Sequence, residues 1–147
     1  MSKPTAYIFD VDGTLVNVDS ILYHLTTEPK NFNAFHRDSI NMPPHDHVVD
    51  MLNQAKDAGH AIVVVTARKE RWRALTSFWL AMHEIHSDAL FMRPDSDGRP
   101  DRQVKLDIYR HISQCWDVVH AVDDNPTVIR LWEKLNIPVT KIGSWEL

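Results

Sequence analysis

The residues that could do chemistry stand at the ends of short apolar runs. Ala6–Phe9 (AYIF) leads into Asp10 and Asp12, Ala61–Val65 (AIVVV) into Thr66 and Arg68, and Val118–Val122 (VVHAV) into Asp123 and Asp124. In an open parallel sheet, ligands bind outside the carboxyl ends of the strands. Four carboxylates from two distant segments would meet there. Like charges packed that closely raise one another's pKa, and a bound cation removes the penalty. Oxygen ligands, with no Cys or His at the same strand ends, select Mg2+ over zinc. Asp10, Asp12, Asp123 and Asp124 are the candidate ligands.

The segment FDVDGTL has its own mechanical logic. Asp10 at the strand tip can aim its carboxylate at a bound phosphate. Gly13 lets the chain turn away sharply, and Thr14 can hydrogen-bond within that turn. Asp12 lies two residues on, on the same side, within reach of the leaving oxygen. Aspartate is a nucleophile for phosphoryl groups and forms an aspartyl-phosphate. A second carboxyl beside it can act first as general acid and then as general base.

These residues need elements to position them. The runs named above, with Ala89–Met92 and Val139–Ile142, read as five strands; short β-branched runs without alternation suit strands buried on both faces. Helical periodicity lies between them. Val48, Met51, Leu52 and Ala55 share a face in His47–Ala58, with Gly59 as the stop. Leu75, Phe78, Trp79 and Met82 share one in Glu70–Met82, and Val104, Ile108 and Ile112 one in Asp101–Ile112. Asn125 and Pro126 form an N-cap and first turn for Thr127–Leu135. The alternation predicts an α/β fold with a mainly parallel sheet.

Composition sets bounds. The chain has 147 residues, 44% apolar and 24% charged, which suits a single domain over 1–147 and argues against disorder. One cysteine, Cys115, excludes an intramolecular disulfide framework and points to a reducing compartment. With no membrane-length apolar run and no leader-like N-terminus, the expected location is cytoplasmic, away from membranes. The net charge of −4 disfavours a general nucleic-acid coat, yet residues 61–110 carry 9 basic and 7 acidic groups. Arg68, Lys69, Arg71, Arg73, Arg93, Arg99, Arg102 and Lys105 lie in that stretch. They form either a rim that draws in a polyanion or a solvated helix face.

DxDGT (Asp10–Thr14), a strand ending in Thr66, Lys105, and a strand ending in Asp123–Asp124 resemble, in order, the four motifs of the haloacid dehalogenase-like (HAD) superfamily. A lone Asp at a strand end is ordinarily a turn former; the ordered set is what carries the resemblance. It implies a Rossmann-like HAD fold: a mainly parallel five-stranded sheet, helices on both faces, and a lid after strand 1. Segments IVVVTARKE, RPDRQVKLDIY and WDVVHAVDDNPTVIRLWEKLNIPV look like the 3′-phosphatase domain of phage polynucleotide kinase-phosphatase.

That resemblance implies a Mg2+-dependent phosphomonoesterase acting on a 3′-phosphorylated nucleic-acid end or a nucleotide. Asp10 is then the nucleophile. Asp12 is the acid/base, its main-chain carbonyl also binding the metal. Thr66 and Lys105 hold the phosphoryl oxygens, Asp123 and Asp124 support Mg2+ with Asp124 as the direct ligand, and Arg68 and Asp101 are substrate contacts. A substrate-binding arginine that the phage enzyme carries after DxDGT has no counterpart in Asn17–Asp38 beyond Lys30 and Arg37, so Arg37 is the candidate from the lid. No G-x-x-x-x-G-K-[ST] loop is present, so a kinase half is not expected in this chain. Three readings compete: a 3′-phosphatase, a small-nucleotide phosphatase, and a non-catalytic or accessory subunit serving a separate kinase or ligase.

The stretch 16–46 is too long for a plain connection, holds Pro29, Pro43 and Pro44, and reads as a lid with a helical turn at Ile21–Leu25. A lid of about thirty residues should leave the site open to large substrates. His36, His45 and His47 come nearest to a transition-metal cluster, but no zinc-like spacing accompanies them, and His36 or His45 reads more readily as a lid contact to substrate. Trp72, Trp79, Trp116 and Trp132 are expected in the core, Trp145 at an edge, and Cys115 as a small buried hydrophobe.

Overall fold

The computed structural model describes residues 2–143; Trp145 lies outside them. Five strands, β1 (Thr5–Phe9), β2 (Ala61–Lys69), β3 (Ala89–Arg93), β4 (Asp117–Asp123) and β5 (Val139–Lys141), form one sheet in the order β3-β2-β1-β4-β5. Every pairing is parallel. The apolar runs account for this. Ile62, Val63, Val64 and Val65 are all fully buried, which requires cover on both faces of β2.

Two cores provide that cover. On one face, Phe9, Ile62, Val64 and Val122 pack with Val48, Leu52 and Ala55 of α3 (Asp46–Asp57) and with Trp79 and Leu80 of α4 (Arg73–Met82). On the other, Ala6, Ile8, Val63 and Ala121 pack with Ile112 of α5 (Asp101–Ile112) and with Val128, Leu131 and Trp132 of α6 (Pro126–Lys134). Asn125 caps α6 as the sequence predicts, its Oδ1 accepting from Thr127 N at 3.0 Å.

The segment after β1 contains more helix than its sequence suggests. A short 3-10 turn (Asp19–Ile21) precedes α1 (Tyr23–Thr26), and α2 (Phe32–Asp38) and a second 3-10 turn (Ser39–Asn41) follow. Asn31 caps α2 by accepting from Ala34 N at 3.0 Å. His45 closes the segment: its Nδ1 lies 2.8 Å from the Thr14 carbonyl, tying the lid's end to the first site loop.

Three expectations are corrected. β2 continues past Thr66 to Lys69 through an irregularity, because Lys69 resumes pairing with Arg93. In α4 the buried face is Thr76, Trp79 and Leu80, while Phe78 and Met82 are 61% and 49% exposed. The helix starts at Arg73 after a 3-10 turn over Glu70–Trp72, which rotates the expected stripe outward. Cys115 is exposed, since it follows the end of α5 in the turn that leads to β4. Trp79 and Trp132 are core residues, whereas Trp72 is half-buried on the wall of a cavity.

Candidate active site

The strand order reverses direction between β1 and β4, so the crevice at their carboxyl ends is where a ligand fits. Phe9 pairs with Val122, and Asp10 N donates to Val122 O at 3.1 Å. That register sets Asp10 beside Asp123. Residues 10–16 then turn on Gly13, whose φ is +80°. A Cβ there would stand 2.0 Å from Asp124 Oδ2, so only glycine lets the loop approach the second acidic pair.

A lysine binds this acidic centre together. Lys105, one turn into α5, is 2% exposed, and its Nζ donates to Asp10 Oδ1 at 2.8 Å and to Asp123 Oδ2 at 2.9 Å. Thr14 Oγ1 lies 3.2 Å from both Asp10 Oδ2 and Asp124 Oδ1. Burial, then the Asp123 charge, pushes the Asp10 carboxyl well above its ordinary value, with Lys105 pulling the other way. Burial likewise raises Asp124. Burial opposes the charge on Lys105, but Asp10 and Asp123 outweigh it and hold the ammonium firmly protonated.

Carboxylate oxygens of Asp10, Asp123 and Asp124 lie within 4.8 Å of one another. An all-oxygen trio of this size, with the Asp10 and Asp124 carboxyls raised, fits a hard divalent cation such as Mg2+. The three are not equivalent. Asp123 is 1% exposed and already occupied: Oδ2 accepts from Lys105 and Oδ1 from Asn125 N at 3.1 Å. Asp124 lines the cavity, accepts from Thr14 and faces Asp10, and among the described residues no cation pairs with it, which suits it to a direct ligand role.

Asp12 has a different environment. Arg68 grips it with two bonds, Nε to Oδ2 at 2.9 Å and Nη2 to Oδ1 at 2.5 Å. Burial would raise the Asp12 carboxyl, but the Arg68 charge and hydrogen bonds win and hold it below its ordinary value. Arg68 is itself 3% exposed and is anchored by Thr76 Oγ1 at 3.0 Å and Ser39 Oγ at 3.1 Å. Neither of these hydroxyl residues stood out in the sequence, because single Ser and Thr residues carry no spacing signal. Thr66 is buried at the cavity, its Oγ1 accepting from Arg68 N at 3.1 Å.

A cavity of about 680 Å³ opens from this centre. Asp10, Asp12, Thr66, Arg68, Asp101, Lys105 and Asp124 all border it. Arg37 does not: it is exposed on α2, one residue round from His36, which does face the cavity. The α-helical step of about 100° per residue points Arg37 to solvent, so the structure does not bring it to the cavity wall. His45 is tied to Thr14 and is absent from the cavity wall. Asp101 accepts from Arg93 Nη2 at 2.7 Å. Arg93 also donates to the carbonyls of Ala67, Asp97 and Arg99, stapling the loop before α5 to β2. Arg93 ends a strand as the acidic pairs do, and that was the signal for it. Of the nine basic residues in 61–110, Arg73, Arg102 and Arg110 stand away from the cavity and the other six border it.

Comparison with known proteins agrees with this geometry. The family of polynucleotide kinase PNKP phosphatase domains matches residues 4–145. A viral relative, the "Putative bifunctional polynucleotide kinase/RNA ligase" of Autographa californica nuclear polyhedrosis virus, is 28% identical over 137 residues, 92% of this chain but 19% of its own length. A chain in the structure of a Pnkp1/Rnl/Hen1 complex superposes with a TM-score of 0.84 at 26% identity, covering 99% of this chain and 48% of that one. The class C acid phosphatase from Bacillus anthracis shares the fold, with a TM-score of 0.68 at 19% identity, covering 87% of this chain and 54% of that one. The chain thus spans about a fifth of the viral relative and under half of the repair-complex chain. With the acidic crevice and the four ordered motifs, these matches make the chain a HAD-type phosphoric monoester hydrolase that belongs to the family of PNKP phosphatase domains.

Proposed function

We propose that this chain removes 3′-phosphates from polynucleotide ends through an aspartyl-phosphate on Asp10, with Mg2+ held by Asp10, Asp124 and the Asp12 main-chain carbonyl. The observation that carries the mechanism is the contrast between the two motif aspartates. Asp10 faces Lys105 in the acidic crevice, and Asp12 is gripped by Arg68 beside it. When bound, Mg2+ would offset the charge of the carboxylates and of the phosphate.

Asp10 attacks phosphorus, forming a P–O bond to its carboxylate and breaking the bond to the sugar oxygen, which takes a proton from Asp12. Asp12, returned to its anion, then takes a proton from the water that attacks the acyl phosphate, releasing phosphate and restoring Asp10. Arg68 favours the anion needed in this second step. A bound phosphate offers Arg68 a second anionic partner, which loosens its hold on Asp12 for the first. Lys105 and Thr66 hold the transferring oxygens, and Asp101 orients Arg93 and the loop that contacts the substrate.

The polynucleotide reading is supported by family membership and by the lid, whose Leu22 and Phe32 are 40% and 54% exposed at the cavity mouth. A small-nucleotide phosphatase is the second reading, because lid residues do form one wall of the cavity. The repair-complex and kinase/ligase relatives motivate a separate ligase or kinase working on the same ends. Phosphate release from one oligonucleotide carrying the phosphate at either its 3′ or its 5′ end tests the reading. Faster release from the 3′ end is expected with Mg2+ and is lost on chelation; faster 5′ release overturns it.

A further inference from the structure

The cavity is chemically two-sided, and phosphoryl transfer uses only one side. A phosphate with its cation occupies the acidic end, whereas about 680 Å³ is the size of a site for a whole nucleotide. The basic rim faces that space: Lys69 and Arg71 border it, and neither has an ion-pair partner among the described residues. The lid and the turn after β2 build an aromatic wall beside that rim. Phe32 and His36 stand at i and i+4 on α2, a spacing that puts both on one helix face, and both border the cavity. The His36 ring lies 5.3 Å from that of Trp72, tilted by 48°. Burial, then the neighbouring guanidinium charges, holds His36 down to about 4 against the pull of Asp12, so its ring is uncharged at neutral pH. Three flat rings thus line one wall, and Phe32 stays 54% exposed.

We propose that Phe32, His36 and Trp72 form a stacking wall for the terminal nucleobase of the substrate, with Lys69 and Arg71 receiving the strand's phosphates. This rests on the polynucleotide reading given above. The occupant follows from the complementarity: a group joining a flat apolar face to a phosphate matches both the ring-lined and the charged parts of the cavity. Stacking on aromatic rings tolerates every base, because every base has a π-face. The wall therefore confers a preference for a base-bearing terminus without sequence selection.

The test compares two 3′-phosphorylated oligonucleotides that differ at the last nucleotide, one with its base and one with a reduced, base-free sugar. The wild-type chain is expected to favour the base-bearing end by about fivefold or more in kcat/KM, mostly through KM. Trp72→Ala and Phe32→Ala should bring that ratio towards one, and Trp72→Phe, which keeps a ring, should retain most of it. Because the readout is a ratio within each variant, a partly unfolded preparation does not imitate the result. Equal rates on the two ends, or a ratio unchanged in both alanine variants, overturns the wall while leaving the 3′-phosphatase reading intact. Failure of that reading has another signature: both oligonucleotides inert while a nucleoside monophosphate turns over, which overturns the wall as a polynucleotide subsite too.

Discussion

Lys105 shows how a residue's context decides its role. On an isolated helix it would be a solvated cation; here its ammonium is buried between Asp10 and Asp123. Removing one partner of a buried pair leaves an uncompensated charge. Asp10→Asn removes the attacking carboxylate but keeps its shape, and Lys105 retains Asp123. Turnover should fall by about a thousandfold or more, with the thermal midpoint close to wild type. Wild-type-like rates would remove Asp10 from the nucleophile's role. Arg68→Ala is harsher. It strands Asp12 and frees Thr76 and Ser39, so a loss of about 3 kcal/mol is expected in chemical denaturation. It also lifts the Asp12 carboxyl towards its ordinary value, which should carry the acidic limb of the pH–rate profile upward. An unmoved limb would show that Asp12 does not govern that limb.

At the scale of elements, the loop between β1 and the lid is the tightest fit. Gly13 combines a positive φ with a missing side chain against Asp124. Gly13→Ala should destabilise the fold by about 1–3 kcal/mol and weaken metal-dependent turnover more than Asp19→Ala, an exposed change in the same segment. Similar effects of the two would contradict the close packing. The strands, α3, α5 and α6 were legible because burial and period agree in their sequences. The strand ends that carry Asp10, Thr66 and Asp123 were legible for the same reason. The face of α4 was not, since the 3-10 turn before it shifts the phase by an amount no periodicity encodes. α2 was obscured because its Asn31 cap, its one buried ring (Phe35) and its two cavity rings (Phe32 and His36) are spread through a polar stretch, and its orientation depends on contacts with Trp72 and the cavity. Arg37 was misplaced for that reason: charge type was visible, but the helix rotation that turns it to solvent was not.

For the whole molecule, the acidic crevice sets how stability responds to pH and metal. Asp10 and Asp124 are both raised above the 3.8 of an ordinary carboxyl. A raised carboxyl favours the folded state below its unfolded value, and that contribution is lost as pH climbs through the folded value. Asp12 is lowered and works in the opposite sense: its contribution is present above 3.8 and is lost as pH falls through its lower folded value. The metal-free chain should therefore lose stability at this crevice as pH rises from about 4. Mg2+ needs the deprotonated carboxylates, so it should stabilise the fold by about 2–3 kcal/mol at a hundredfold excess over Kd at neutral pH, and by less near pH 5, read as the shift in chemical denaturation. Asp124→Asn should remove most of that gain. A gain independent of pH, or one preserved in the variant, would contradict the metal assignment.

On the reading proposed above, an open catalytic crevice serves a polynucleotide end. That reading is tested most directly by phosphate release with Mg2+ from a 3′-phosphorylated oligonucleotide beside free nucleoside 3′- and 5′-monophosphates. Higher kcat/KM is expected on the oligonucleotide, because a longer strand would give Lys69 and Arg71 phosphates to hold. Faster turnover of the mononucleotides would contradict that reading and make the chain a nucleotidase, with 16–46 as its specificity element.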